Sequence, residues 1–485
     1  MIITSIIKLV RRSQFMPKKR YLYANKKVLK EGRNQQEEDF NYFYSPKYAK
    51  QIGIKYGESG KAIEVAFKQY FEAMKHLGLT KLIDKDSLRK KIDKFMFYYN
   101  NSFGENGSGA LAMTDLVELC IGIRKSIKVG DYETLFHEFN HLISVHESNG
   151  DNWRYQRDEE IFSTGYDIKN VTEGIEYNTL FNEGVTDLLA LLQYSYLKKT
   201  VALNSSGYEL EVGFLHSLYM VCGNALFEGY FGGGKFGPIA RAIGEPQETD
   251  ALAAECVSNI QTDEISLAIL SDRISNLAYS EPLEAIAEFN DIQYDLINIL
   301  YKKVFLDITN NLDKFNDFSE IEATVFTAFA NYAKTLYFGS DKYSIYNPTR
   351  NDVFEYLTET YFGMLNNIGF IIQEREDVPI SCQEPRNSFE TIFENFVNIN
   401  DCSYGLIDYR QKPIDVISKN YVISVFEPNK ANYLRKKNGY DNVSEMKNEF
   451  LHKKIVESLE NDAKSAPFRA STQDQNFGEN YDYSF

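Results

Sequence analysis

Residues 131–150 read DYETLFHEFNHLISVHESNG, and the rest of the chain is organised around them. At their centre HEFNH sets His137 and His141 four residues apart with Glu138 between them. Residues four apart on a helix project from one face, about one turn from each other, so both imidazoles can reach a single metal ion. Glu138 then sits one position round, where it can touch a metal-bound water. The flanks predict a helix: Asp131 offers an N-cap oxygen, Glu133 lies in the first turn, and Asn149-Gly150 supplies a stop. At about 100° per residue, Leu135, Phe136, Phe139, Leu142 and Ile143 form one apolar stripe, with His137 and His141 nearly opposite. One face packs and the other carries chemistry. His146 projects into the apolar stripe and reads as a core residue.

Further downstream, VTEGIEYNTLFNEGVTDLLALLQYSYLKK (171–199) reads as a helix from about Thr179 onward. Phe181, Val185, Leu188 and Leu192 share one side, and Glu183 and Asp187, again four apart, fall on the other. A zinc ion held by two imidazoles needs a third protein ligand and one open position for water, and Glu183 is placed to supply that ligand. Asp187 can take the second ring N–H of a ligating histidine. An acid pair at this spacing is ordinarily a solvated face, and its position downstream of HEFNH is what gives it a ligand reading.

Together HEFNH and NEGVTD resemble the zincin metallopeptidases, in particular the gluzincin, or thermolysin-like, arrangement of HExxH followed by a helix carrying NExxxD. The resemblance covers about 116–245. It implies an α+β core with a small sheet in which His137, His141 and Glu183 bind Zn2+, Glu138 is the general base, and Asp187 orients a ligand histidine. The insertion between the two motifs is longer than in thermolysin itself, which leaves the subfamily open. The metzincin pattern HExxHxxGxxH does not fit, since Ser144 replaces the glycine and Glu147 stands where the third histidine is required. Zincins usually add a Tyr or His that hydrogen-bonds the oxyanion. In the helical stretch GYELEVGFLHSLYMVCGNALFEGYF (207–231), Tyr208 and His216 both qualify and lie on roughly one face.

Around this centre the pattern is helical. GKAIEVAFKQYFEAMKHL (60–77) and DSLRKKIDKFMFYYN (86–100) both carry helical apolar spacing, NNSFGENGSG (100–109) is a loop and a boundary, and LVELCIGIRKSI (116–127) reads as a strand in its middle. GYFGGGK (229–235) has P-loop spacing but is followed by Phe236 and preceded by a helix, so it reads as a Gly-rich turn before Pro238. From about 250 to 460 come long amphipathic stretches, among them ISLAILSDRISNLAYS, EPLEAIAEFNDIQYDLINILYKKVFLDI, EIEATVFTAFANYAKTLYF and NDVFEYLTETYFGMLNNIGF. The end, SAPFRASTQDQNFGENYDYSF, reads as a loose tail.

With 485 residues the chain exceeds what one core usually organises. The expected division is a basic N-terminal segment and helical region (1–109), a zincin-like catalytic domain (110–245), a helical C-terminal domain (246–464) and the tail (465–485). Nine of the 53 Lys and Arg residues fall within residues 1–30, where there is no acid, so the rest is more acidic than the net charge of −16 conveys. That balance argues against nucleic-acid binding. Five cysteines are scattered with no CxxC pair, which argues against a thiolate zinc site and a disulfide framework and for a reducing, cytoplasmic setting. The opening MIITSIIKLVRR lacks the core of a signal peptide, and no stretch approaches the roughly 20 apolar residues of a membrane span. Export by a non-classical route stays open, as does oligomeric state. The expectation is a mainly α zinc metallopeptidase acting on a peptide or protein substrate. The alternative is a non-catalytic zincin-like or helical protein-binding scaffold, for which the exchange Glu138→Gln would be silent.

Overall fold

The computed structural model describes residues 43–44, 58–83, 96–99, 112–115, 120–123, 132–145, 161–170, 175–198, 207–248, 250–338, 345–346, 349–375 and 413–414. The basic residues 1–30, Asp131, the 100–109 loop, His146, Asn149-Gly150 and the tail 465–485 lie outside them. Among the described residues the fold is mainly α. None of the described helices is by itself long and apolar enough to cross a membrane.

The central element is α3 (Thr179–Lys198). Its interior residues Leu188, Leu189, Ala190, Leu191 and Leu192 are apolar all round and all buried, which is what a helix surrounded by neighbours requires. Those neighbours are α1 (Glu58–His76), α2 (Tyr132–Ser144), α4 (Glu209–Cys222) and α8 (Glu264–Asn276). On α2 the expected stripe of Leu135, Phe136, Phe139, Leu142 and Ile143 is buried throughout. Tyr70 of α1 meets Phe136 and Phe139 edge-on, with ring centroids 5.6 and 5.8 Å apart, the geometry in which a ring's positive edge meets a negative face.

Two small sheets flank these helices. In the first, β1 (Phe43–Tyr44), β2 (Met96–Tyr99), β4 (Cys120–Ile123) and β3 (Ala112–Asp115) are ordered β1-β2-β4-β3, with β2 and β4 parallel. In the second, β5 (Ile161–Thr164), β6 (Asp167–Asn170) and β7 (Ile175–Tyr177) form an antiparallel meander. The strand expected within 116–127 is β4. The helix expected over 86–100 is corrected: its described part, Met96–Tyr99, is a strand, because MFYY pairs with CIGI residue for residue and aromatic residues suit a pleated surface.

The helix expected to run to Asn149-Gly150 is also shorter, ending at Ser144. There the β5–β6 hairpin takes over the last carbonyls: Ser144 Oγ and Thr164 Oγ1 both donate to His141 O, and Gly165 N donates to Ser144 O at 3.1 Å. The stretch 207–231, read as one helix, is two: α4 and α5 (Ala225–Phe231), bent by 112° at Gly223-Asn224. Gly223 takes φ 59°, ψ −141°, a conformation that an L side chain resists.

The Gly-rich turn then reverses the chain into α6 (Gly237–Ile243), which has Pro238 in its first turn. Gly234, at φ 73°, has its Cα so close to the hairpin tip that a Cβ would lie 2.5 Å from Gly165 O. Gly229 and Gly234 are thus explained by packing on the β5–β6 hairpin.

Past residue 250 come α7 (Ala251–Val257) and, within the expected amphipathic stretches, α8, α9 (Pro282–Thr309), α10 (Phe318–Ala333) and α11 (Arg350–Glu374); residues 376–412 and 415–460 of the expected helical span lie outside the described residues. Asp250, Asp263 and Asp317 cap α7, α8 and α10 by accepting N–H bonds at 3.1, 2.8 and 2.9 Å. One contiguous set of buried apolar side chains runs from Ala66 to Ile372, so these helices share a core with α2 and α3.

The start of α3 is held from α8. Asn178, in the left-handed region at φ 60°, accepts from Ser271 Oγ at 2.8 Å, and Phe181 N donates to Ser275 Oγ at 2.9 Å. One of the N–H groups that a helix start leaves without a partner is satisfied in this way.

Candidate metal centre

Helices α2 and α3 pack with their polar faces toward each other, and three side chains converge between them. His137 Nε2 lies 3.2 Å from Glu183 Oε2, His141 Nε2 lies 3.3 Å from the same oxygen, and the two imidazole nitrogens are 3.0 Å apart. Among the described residues, His137, His141 and Glu183 form the group of donor atoms that could hold a metal ion. Four-coordinate zinc with ligands at about 2.0–2.2 Å places neighbouring ligand atoms roughly 3.3–3.6 Å apart, so shifts of a few tenths of an ångström would admit an ion here. Two imidazoles and one carboxylate, with a fourth position left open, is the donor set of a catalytic zinc site. The residues present fit the ion.

Behind His137, Nδ1 lies 3.2 Å from Asp187 Oδ1. A carboxylate on the far ring nitrogen fixes the ring's orientation and makes the near nitrogen more basic. Burial alone would lower the His137 pKa, but hydrogen bonds to Asp187 and Glu183 and their charges outweigh it and hold the imidazole well above its ordinary value. Glu183 shifts the other way: burial opposes its charge, while His141 and His137 pull its carboxyl well below the usual range. His137 thus lies between two carboxylates, with Asp187 at Nδ1 and Glu183 at Nε2.

Two further acids stand close by. Glu138 is buried at 5% exposure on the helix that carries both histidines. Glu133, one turn before His137, is pushed up to about 7 by burial first and by the charge of Asp187 second, with His137 opposing.

The two oxyanion candidates separate in space. Tyr208 stands at the N-terminus of α4, its ring parallel to that of His137 at a centroid distance of 6.1 Å. Burial, the charge of Glu183 and a hydrogen bond to Glu183 all raise its hydroxyl pKa. His216 is buried two turns along α4 and is not one of the three converging side chains.

Several polar residues behind the site were not singled out by motif reasoning. Asn140, inside HEFNH, is fully buried and accepts from Tyr70 Oη at 2.7 Å. It donates to Gln193 Oε1 at 3.2 Å and to Thr186 O at 3.4 Å. Thr186 Oγ1 shares a 2.7 Å hydrogen bond with Tyr230 Oη. Asn182, which opens NEGVTD, is fully buried and accepts from Tyr166 N at 2.9 Å. A buried polar side chain needs partners, but these partners are far apart in sequence, and only the polar character of Asn140 and Gln193 within apolar stretches hinted at them.

No family model matches this chain, nor does any curated protein or solved structure.

Proposed function

We propose that this chain is a zinc-dependent metallopeptidase. The observation that carries the reading is the convergence of His137, His141 and Glu183 from two helices, with the carboxyl of Glu138 buried on the same helix as the two histidines. When bound, zinc supplies a Lewis acid that acidifies water toward a pKa of about 7 and polarises a carbonyl. In this reading Glu138 takes the proton from the attacking water and passes it to the leaving amine, a task for a carboxylate near the reacting atoms. Asp187 holds His137 in the tautomer that offers Nε2 to the ion. Of the two oxyanion donors we favour Tyr208, whose hydroxyl already reaches Glu183. His216 then has a packing role.

The substrate class we assign is a peptide or protein amide, and the setting a reducing, cytoplasmic one, on the strength of the motif pair and the scattered cysteines. Two histidines and a carboxylate also suit non-haem iron; Glu138 favours hydrolysis. Elemental analysis of protein purified without chelators tests the reading. About one zinc per chain, lost in His137→Ala and Glu183→Ala, together with peptide-library cleavage abolished in Glu138→Gln, is the expected result. Iron in place of zinc, or no metal after zinc is supplied, overturns it.

A further inference from the structure

We propose that Tyr70 and Asn140 are positioning residues of the metal centre, and that α1 is part of the metal-binding unit because it completes a buried hydrogen-bonded chain that sets the register of α2 on α3. This rests on the metal-binding reading of the His137, His141 and Glu183 cluster.

The chain runs through three fully buried side chains, Tyr70, Asn140 and Gln193, and the backbone carbonyl of the equally buried Thr186. Tyr70 Oη donates to Asn140 Oδ1 at 2.7 Å, and Asn140 Nδ2 reaches Gln193 Oε1 at 3.2 Å and Thr186 O at 3.4 Å. Gln193 Nε2 turns back to Met74 Sδ on α1 at 2.8 Å. Helix α1 thus supplies both ends, the donor to Asn140 and the acceptor from Gln193.

Position gives this chain its effect on the site. Asn140 directly precedes the ligand His141, and Thr186 directly precedes Asp187, the carboxylate behind His137. Apolar side chains hold helices together over a range of small rotations and slides, whereas hydrogen bonds weaken steeply away from their preferred distance and angle. These groups are all fully buried, so a turn of α2 on α3 leaves buried donors and acceptors without their partners. Any such turn carries His141 and His137 with it and changes their distances to Glu183. Fixing Asn140 therefore fixes the ligand triangle, and the Tyr70 hydroxyl fixes Asn140.

The test uses Tyr70→Phe, which deletes one hydroxyl and keeps the ring on Phe136 and Phe139. Met74→Leu, which conserves volume and removes the sulfur acceptor, is the second variant and carries the test should the first fail to fold. Phe305→Leu, a cut into the fully buried core of α9, is the control for general destabilisation. Zinc affinity is measured by competition with a chromophoric chelator, at a temperature where all variants are folded. The absorption spectrum of the cobalt(II) form and the Tm of the metal-free protein are recorded alongside. The expected result is a loss of affinity of a few-fold in Tyr70→Phe, below the roughly 10-fold or more that follows removal of a group bonded directly to a ligand, a smaller loss in Met74→Leu, altered cobalt bands in both, and unchanged affinity and bands in Phe305→Leu. Variants with a lower Tm but wild-type affinity and bands overturn the inference, as does a control that loses affinity in step with its Tm. Wild-type protein that takes up neither zinc nor cobalt overturns the metal centre itself, and this inference with it.

Discussion

Replacing Asp187 by Asn keeps the shape of the side chain behind His137 and removes its charge, and the consequence should depend on pH in a definite direction. The bond at issue spans 3.2 Å between side chains that are 15% and 11% exposed, so solvent screens it little. A hydrogen bond to a charged partner contributes about 1.5–3 kcal/mol, and loss of a carboxylate behind a ligating histidine weakens metal binding roughly 10–100-fold, about 1.4–2.7 kcal/mol. The same carboxylate also favours the proton that competes with the metal, since it helps hold His137 well above its ordinary 6.5. When pH lies above the raised value, His137 is neutral in both proteins and the variant shows its full deficit. As pH falls through that value, proton competition grows faster in wild type than in the variant, and the deficit shrinks. Zinc affinities from chelator competition, taken across pH values on both sides of 6.5, should therefore diverge toward alkaline pH. A deficit that is constant with pH, or largest in acid, would refute the coupling of Asp187 to His137.

Three further perturbations test other parts of the structure. Glu138→Gln should retain its metal by elemental analysis and lose turnover by at least about 100-fold, the usual contribution of a general acid–base group; a variant that cleaves at the wild-type rate would remove Glu138 from the mechanism. Glu133→Gln should raise the Tm of the metal-free protein above pH 7 and leave it unchanged below pH 4.5. The Glu133 carboxyl is pushed from 4.5 up to about 7 in the fold, so its stabilising contribution is present in acid and is lost as pH rises through the folded value. That gap is worth roughly 3 kcal/mol at most, and equal melting temperatures at alkaline pH would show that Glu133 is not strained there. Gly229→Ala would put a Cβ 2.2 Å from Tyr166 Oη and 2.3 Å from Lys235 O. Overpacking of that kind costs about 1–3 kcal/mol, more than the roughly 1 kcal/mol that alanine gains in a helix, so thermal melting should show a lower Tm; an unchanged Tm would mean that the turn relaxes cheaply.

The two helices of the candidate metal centre were legible in the sequence because their spacing is local. His137 and His141, like Glu183 and Asp187, are paired by helical spacing alone, and the stripe from Leu135 to Ile143 could be assigned to the core without knowing what covers it. Features fixed by distant partners were not legible. Met96–Tyr99 has enough apolar character to continue a helical pattern, and its pairing with Cys120–Ile123 is what makes it a strand. The stop at Ser144 depends on Thr164 and Gly165, which bind the final carbonyls from another element. Asn140 occupies an unspecified position of the HExxH pattern, and its partners Tyr70 and Gln193 lie 70 and 53 residues away. Tyr208 and His216 could not be told apart by helical phase, because the difference between them is where α4 begins relative to Glu183.

The serines of α8 that hold the start of α3 bear on where the molecule can be cut. A fragment ending before Glu264 would retain His137, Glu138, His141, Glu183 and Asp187, yet it would lose Ser271 and Ser275, which reach Asn178 and Phe181 across 93 and 94 residues. The turn that leads into Glu183 would then fray toward solvent, and its carboxylate would no longer be presented to the histidines at a fixed distance. The minimal fragment that keeps His137, His141 and Glu183 converged therefore extends at least through α8, well past Asp187.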